Sequence, residues 1–224
     1  MKKSNVYIIA ASGSWNEALF KKNLFPKNFL FISKSSELNK KLKKTKPKFI
    51  FFIHWHTFIP KSIYSKYECI GFHMTDLPYG RGGSPLQNLI LRKINATKLS
   101  AFKINNTLDA GPIYIKRKLN LTGNALQIYK RLTLLSFKMI KVIILKEINP
   151  KKQLGKTILF KRRKKEESLI KKNIHLDEIY DFIRMLDAPG YPKAYIDLKH
   201  IKIHFSNVQK NLDKLRAEIE ISKK

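Results

Sequence analysis

Short apolar runs alternate with amphipathic stretches through the first two thirds of this chain, the arrangement that buries a parallel sheet between layers of helices. Val6–Ala11, Phe29–Ser33, Phe49–His54 and Cys69–Met74 read as strands, the third so continuously apolar that both its faces must be covered. Between them lie candidate helices at Trp15–Asn23, Ser36–Lys44 (opened by a serine cap) and Pro60–Tyr67. A glycine-rich loop, Tyr79–Gly83, leads into a helix at Ser84 with Pro85 in its first turn. Leu99–Ile104 and Pro112–Leu121 read as strands flanking a tight segment. A long helix is expected over Asn124–Ile148, its stripe running Leu126, Tyr129, Leu132, Leu135, Met139, Val142, Leu145. Asn149-Pro150 and the lysines after it mark a boundary between residues 1–150 and 151–224. The latter part predicts a strand at Thr157–Lys161, a helix at Leu176–Leu186, a hairpin within Ala194–Phe205 and a charged terminal helix over Asn211–Lys224.

Composition narrows the class. With 43% hydrophobic residues in 224, the chain can bury a core. One cysteine, Cys69, forms no intrachain disulfide and fits a reducing, cytoplasmic setting. The apolar stretch after Met1-Lys2-Lys3 is too short for a secretory leader, and lysines interrupt every candidate membrane span. A formal charge of +30 suggests nucleic acid. Yet only eight of the 46 basic residues are arginine, and the lysines are spread among Ile and Asn as in the product of an AT-rich genome. Nucleic acid is therefore not the expected partner.

Chemistry concentrates in two places. Gly71-Phe72-His73-Met74-Thr75-Asp76-Leu77-Pro78-Tyr79-Gly80-Arg81-Gly82-Gly83-Ser84-Pro85 puts a histidine at the end of a buried strand, where open α/β sheets bind ligands. Leu108-Asp109-Ala110-Gly111-Pro112 puts an acid in a turn re-entering a strand. Alone, each is compatible with an ordinary core histidine or turn; together they make a candidate acid/base pair. His54, His56 and His73 have no accompanying cysteine or acid cluster, so no metal is expected.

These segments resemble the His-x-Ser-x-Leu-Pro…Arg-Gly…Pro and Leu-Asp-x-Gly-Pro motifs of the formyltetrahydrofolate-dependent formyltransferases, and Phe58-Ile59-Pro60 resembles that family's Leu-Pro element. The resemblance implies an α/β fold with a Rossmann-like, mainly parallel sheet and a small α+β C-terminal appendage. It implies 10-formyltetrahydrofolate as cosubstrate, His73 and Asp109 as catalytic residues, and a pterin site lined by Trp55, Phe58, Ile59, Pro60, Thr75, Asp76, Leu77, Pro78 and Leu108. The family's Asn-x-His carries Gly71 in place of Asn, which removes an oxyanion donor; His73, Gln87, Asn88 or a backbone amide would have to substitute.

The acceptor expected from the size of the tail and the form of the loop is a nucleotide-linked amino sugar. Tyr79, Arg81, Gly82, Ser84, Gln87, Arg184 and Tyr191 would hold it, with the loop amides and Arg81 as an anion site unless Arg81 merely bridges to Asp76. The alternatives are methionyl-tRNA, for which the 74 residues after Pro150 look too few, and a catalytically impaired basic binding protein. A homodimer surface is expected near Tyr191–Phe205.

Overall fold

A computed structural model describes residues 5–224; the Met1-Lys2-Lys3 start lies outside the described residues. A six-stranded sheet has the order β2-β1-β3-β4-β6-β7. Its members are β1 (Tyr7–Ala11), β2 (Phe29–Ile32), β3 (Phe49–Ile53), β4 (Glu68–His73), β6 (Ala96–Lys103) and β7 (Ile113–Asn120). The β1–β2, β1–β3 and β3–β4 pairs are parallel, whereas β4–β6 is antiparallel with His73 opposite Ser100 and Gly71 opposite Phe102. The fold is α/β with a mainly parallel sheet, as the alternating pattern predicts.

The continuous apolar runs become the buried strands. Ile8, Ile9, Ile50, Phe51, Ile53 and Ile70 are fully buried, so both faces of the central strands are covered. Helices α1 (Ser14–Lys22), α2 (Ser35–Lys44) and α3 (Lys61–Tyr64) follow the first three strands. No side-chain cap opens α2; Glu37 in its first turn instead accepts from the Ser33 amide at 3.3 Å. The segment Tyr79–Gly82 is a strand, β5, rather than a free loop, and it pairs with β8 (Ile158–Phe160). Helix α4 spans Pro85–Leu91 and α5 Ala125–Lys146. The buried stripe of α5 runs Tyr129, Leu132, Ser136, Met139, Ile140, Ile143; Leu145, expected in it, is 81% exposed because a 3.6-residue period carries the stripe past it.

The chain divides into two compact units. The first comprises the residues through Gly82, Thr97–Leu119 and Tyr129–Leu159; the second comprises Gly83–Ala96, Asn120–Ile128 and Phe160–Lys224. The second unit holds α4, α6 (Leu176–Arg184) and a three-stranded antiparallel sheet in the order β11-β10-β9. Its strands are β9 (Ala194–Asp197), β10 (Ile201–Asn211) and β11 (Lys214–Lys223). The terminal helix expected at Asn211–Lys224 is therefore corrected to strand β11. Leu215, Ala217, Ile219 and Ile221 alternate with charged residues, and this period of two places Ile221 opposite Ile203 and Ile219 opposite Phe205.

Candidate active site

His73, the last residue of β4, is buried, and its Nε2 lies 2.8 Å from the Gly80 carbonyl oxygen. A carbonyl only accepts, so Nε2 carries a proton and donates. That leaves Nδ1 toward Asp109, whose Oδ2 is 3.6 Å away. The two side chains are both shielded from solvent. The gap is longer than a hydrogen bond and short enough to close upon one proton.

Asp109 is held by its backbone surroundings. It occupies the left-handed region at φ 51, and its Oδ2 accepts from the Gly82 amide at 2.9 Å. Gly111 follows because a Cβ there would lie 1.7 Å from the Lys103 carbonyl oxygen. Gln153 fastens the turn: its Nε2 donates to the Asp109 and Gly111 carbonyls, each at 2.8 Å. Its Oε1 accepts from Arg81 Nη2 at 2.7 Å and Nε at 3.2 Å. Sequence reasoning missed Gln153, which sits unmarked in a lysine-rich stretch; only its spatial position beside the Asp-x-Gly turn reveals it.

Arg81 therefore does not bridge to Asp76. Asp76 pairs with Lys116 at 2.5 Å and Lys98 at 2.9 Å. Burial alone would raise its carboxyl, but the hydrogen bonds and charges of these lysines hold it below the usual range. Thr75 and Leu77 are fully buried, the Thr75 hydroxyl donating to the Gly80 carbonyl at 3.3 Å. The Leu77-Pro78 peptide is cis, and the Pro78 carbonyl accepts from Ile158.

The other expected pterin residues divide. Trp55 and Ile59 pack on the core cluster around Ile50 and Phe52, while Phe58 and Leu108 are 84% and 69% exposed. Nearby in the first unit, Trp15 lies 5.8 Å from Tyr129 in a stacked arrangement and 5.3 Å from His54. Burial, with a smaller contribution from the charge of His56, lowers the His54 pKa to about 3.

The place of the family Asn, at Gly71, is filled in a way the sequence alone does not show. A Cβ on Gly71 would lie 2.8 Å from Cε1 and Cζ of Phe102, so the Phe102 ring occupies the space an Asn side chain would need. Gln87 and Asn88, considered as substitutes, belong to the second unit and are committed there. The Gln87 amide donates to the Met185 carbonyl at 2.9 Å, and the Asn88 amide to the carbonyls of Gly83, Ser84 and Lys161. Ser84 Oγ accepts from the Arg163 amide at 3.0 Å. Arg184, expected on a phosphate, is buried and donates to the Leu121 and Gly123 carbonyls and to Asp181 at 2.7–3.0 Å. Tyr191 is half-buried in the same unit. Among the described residues no group of three or more His, Cys, Asp or Glu is placed to hold a metal, and no helix is long and apolar enough to cross a membrane.

A strand-end histidine faces an acid on a mainly parallel α/β sheet, and similarity to known proteins identifies the family. Residues 165–222 match the family model for the C-terminal domain of methionyl-tRNA formyltransferase. A solved structure of methionyl-tRNA formyltransferase from Clostridium thermocellum is 43% identical, with a TM-score of 0.92 over 98% of this chain and 100% of that one. The methionyl-tRNA formyltransferase of Thermodesulfovibrio yellowstonii is 28% identical over 178 residues, 76% of this chain and 57% of the relative. A 4-N formyltransferase from Francisella tularensis shares the fold at 16% identity and a TM-score of 0.60, over 87% of this chain and 93% of that one. The chain belongs to the formyltransferase family. It spans 57–63% of the length of the first curated relatives it matches.

Proposed function

We propose that the chain transfers a formyl group from 10-formyltetrahydrofolate to an amine, and that the amine is that of methionyl-tRNA. The observation that carries the transfer chemistry is the His73–Asp109 pair, the histidine buried and the acid half-buried, 3.6 Å apart. The folate supplies the formyl carbon at the oxidation level of the product, so the protein has only protons to manage. The attacking amine must lose one proton and the departing folate nitrogen must gain one. Asp109 takes the first, directly or through a water, and His73, fixed by the Gly80 carbonyl, carries a proton on the Nδ1 side toward the leaving nitrogen. The exposed apolar side chains of Phe58 and Leu108 suit a flat aromatic ring, which would cover surface otherwise left in water.

The acceptor follows from similarity rather than from the site. The 43% identical relative carrying the methionyl-tRNA formyltransferase name covers nearly the whole chain, and residues 165–222 match a domain of that enzyme. This match supports a tRNA acceptor in spite of the short tail. It also gives the +30 charge a function, since a polyanion is gripped by many lysines at once. The nucleotide-linked amino sugar stands second. A structure named as a sugar N-formyltransferase from Shewanella, 16% identical, supports the fold alone, and Arg184 and Gln87 are already committed to backbone carbonyls.

The test offers 10-formyltetrahydrofolate with charged initiator tRNA and, separately, with UDP-, dTDP- and GDP-linked amino sugars. Formylation of the tRNA, with affinity falling steeply between low and moderate salt, is the expected result. Turnover of a sugar alone with gentle salt dependence would overturn the acceptor; no turnover with any amine would overturn the activity.

A further inference from the structure

Asp109 stands in the left-handed region of the backbone, a conformation that a non-glycine residue keeps only where its surroundings hold it. Its carboxylate meets two groups at once: Oδ2 accepts from the Gly82 amide at 2.9 Å and faces His73 Nδ1 at 3.6 Å. A turn free to relax toward an ordinary conformation would swing that oxygen away from both. The side chain that reaches the backbone of this turn from elsewhere in the first unit is Gln153. The chain just before it is anchored, Lys151 and Ile113 exchanging amide-to-carbonyl bonds of 2.8 and 2.7 Å. Lys152 and Leu154 on either side are exposed while Gln153 is half-buried, so its amide is turned inward.

The two ends of the Gln153 amide grip opposite sides of the Asp109–Gly82 contact. Nε2 donates to the Asp109 and Gly111 carbonyls, each at 2.8 Å, and Oε1 accepts from Arg81 Nη2 at 2.7 Å and Nε at 3.2 Å. Arg81 precedes Gly82, the donor to Asp109, so the links close a ring. It runs from the Gly82 amide to the Asp109 carboxylate, from the Asp109 carbonyl to Gln153, from Gln153 to Arg81, and back to Gly82 through one peptide bond. One hydrogen bond between β5 and the turn would act as a hinge; a second link beside it removes that rotation. Only a primary amide of this reach can make both. Glu has no donor for the carbonyls, Lys no acceptor for the guanidinium, and Asn is one methylene shorter. We infer that, with Asp109 taking the amine proton as proposed above, Gln153 is a positioning residue: it locks the Asp109 turn to β5 and keeps the carboxylate where the proton must go.

Two substitutions test this. Gln153→Met keeps the length of the side chain and removes all of its hydrogen bonds; Gln153→Glu keeps the acceptor for Arg81 and removes only the donor to the turn. Each should lower kcat by about ten- to a hundredfold, the loss that accompanies a reacting group displaced by up to about 1 Å. KM for 10-formyltetrahydrofolate should stay within about twofold of wild type, since the change acts on the proton acceptor and not on folate binding. In an Asp109→Asn background either substitution should change kcat by less than about threefold, because the carboxylate it positions is gone. A residue that only supports the fold would lower kcat by the same factor in both backgrounds, and that result would overturn the inference. A readout that needs no acceptor is hydrogen exchange of the Gly82 amide by NMR. It should quicken at least about tenfold in both variants while the amides of buried β3 stay protected. Circular dichroism checks folding, and should Gln153→Met not fold, Gln153→Glu, which retains the Arg81 link, carries the test. Unchanged Gly82 exchange, or wild-type kcat in Gln153→Glu, would also overturn the inference. A wild type inactive with every amine would overturn the activity on which it rests, and the Gly82 exchange separates that failure from a failure of the clamp.

Discussion

Gly71→Asn, which restores the residue found at this place in the related motif, should destabilise the protein unless Phe102 is changed with it. The added Cβ would sit 2.8 Å from two ring carbons of Phe102 and 3.4 Å from Ile104 Cγ1, against an optimal carbon separation of about 3.5–4.0 Å. Phe102 is 6% exposed and faces Gly71 across the β4–β6 pair, so its ring has no open side to move into. Overpacking of this sort costs about 1–3 kcal/mol, which for a chain of this length lowers the melting temperature by about 2–12 °C. Phe102→Val alone leaves a cavity and should also destabilise. The pair together should be less unstable than the sum of the two, with a coupling above roughly 0.5 kcal/mol. Calorimetric melting of the four proteins measures this directly. A companion formylation assay asks whether the Asn amide, given room, adds an oxyanion donor; an accommodated donor is worth about 10²–10³ in turnover over Phe102→Val alone. Strict additivity, or a Gly71→Asn melt equal to wild type, would refute the claim that the ring blocks this position.

Four further outcomes are expected. His73→Ala and Asp109→Ala should each lower turnover at least about a hundredfold while folate binding, read by fluorescence quenching, survives. Arg184→Ala leaves the Leu121 and Gly123 carbonyls without their donor and Asp181 with Lys93 alone, and should cost about 1–3 kcal/mol in urea unfolding while leaving the Michaelis constant for the acceptor unchanged. His54, with its folded pKa near 3 and an unfolded value near 6.5, binds its proton preferentially in the unfolded chain; stability should fall with pH between those values. Relative to wild type, His54→Phe should be roughly 2 kcal/mol less sensitive to a shift from pH 7 to 4.5. Cys69 is pushed up to about 12 by burial and by the Glu68 carboxylate, against the opposing Lys103, so iodoacetamide should modify it only after denaturation.

The sheet was legible because buried parallel strands must be apolar on both faces, and Phe49–Ile53 can be little else. The end of the chain misled because Leu, Arg, Ala, Glu and Lys favour helices individually, while the alternation from Leu215 to Ile221 that specifies a strand is a property of the row. His73 and Asp109 were legible from their motifs. What surrounds them was not: the Phe102 ring over Gly71 depends on an antiparallel register between β4 and β6, and the Gln153 clamp on a contact across forty-four residues. Arg81 and Arg184 look like anion ligands in sequence, where a guanidinium free for phosphate cannot be told from one fixed on Gln153 or on backbone carbonyls.

The Gln153 clamp also bears on how such enzymes can be cut and recombined. An Asn-Pro followed by lysines invites a fusion junction at residue 150, with everything after it exchanged for another acceptor-binding module. Such a chimera would leave the Asp109–Gly111 turn and Arg81 without the amide that fastens both, and would discard the β8 partner of the Tyr79–Gly82 strand. A junction placed after Phe160, where β8 ends, keeps both the clamp and this strand with the His73–Asp109 pair and is the better seam for grafting.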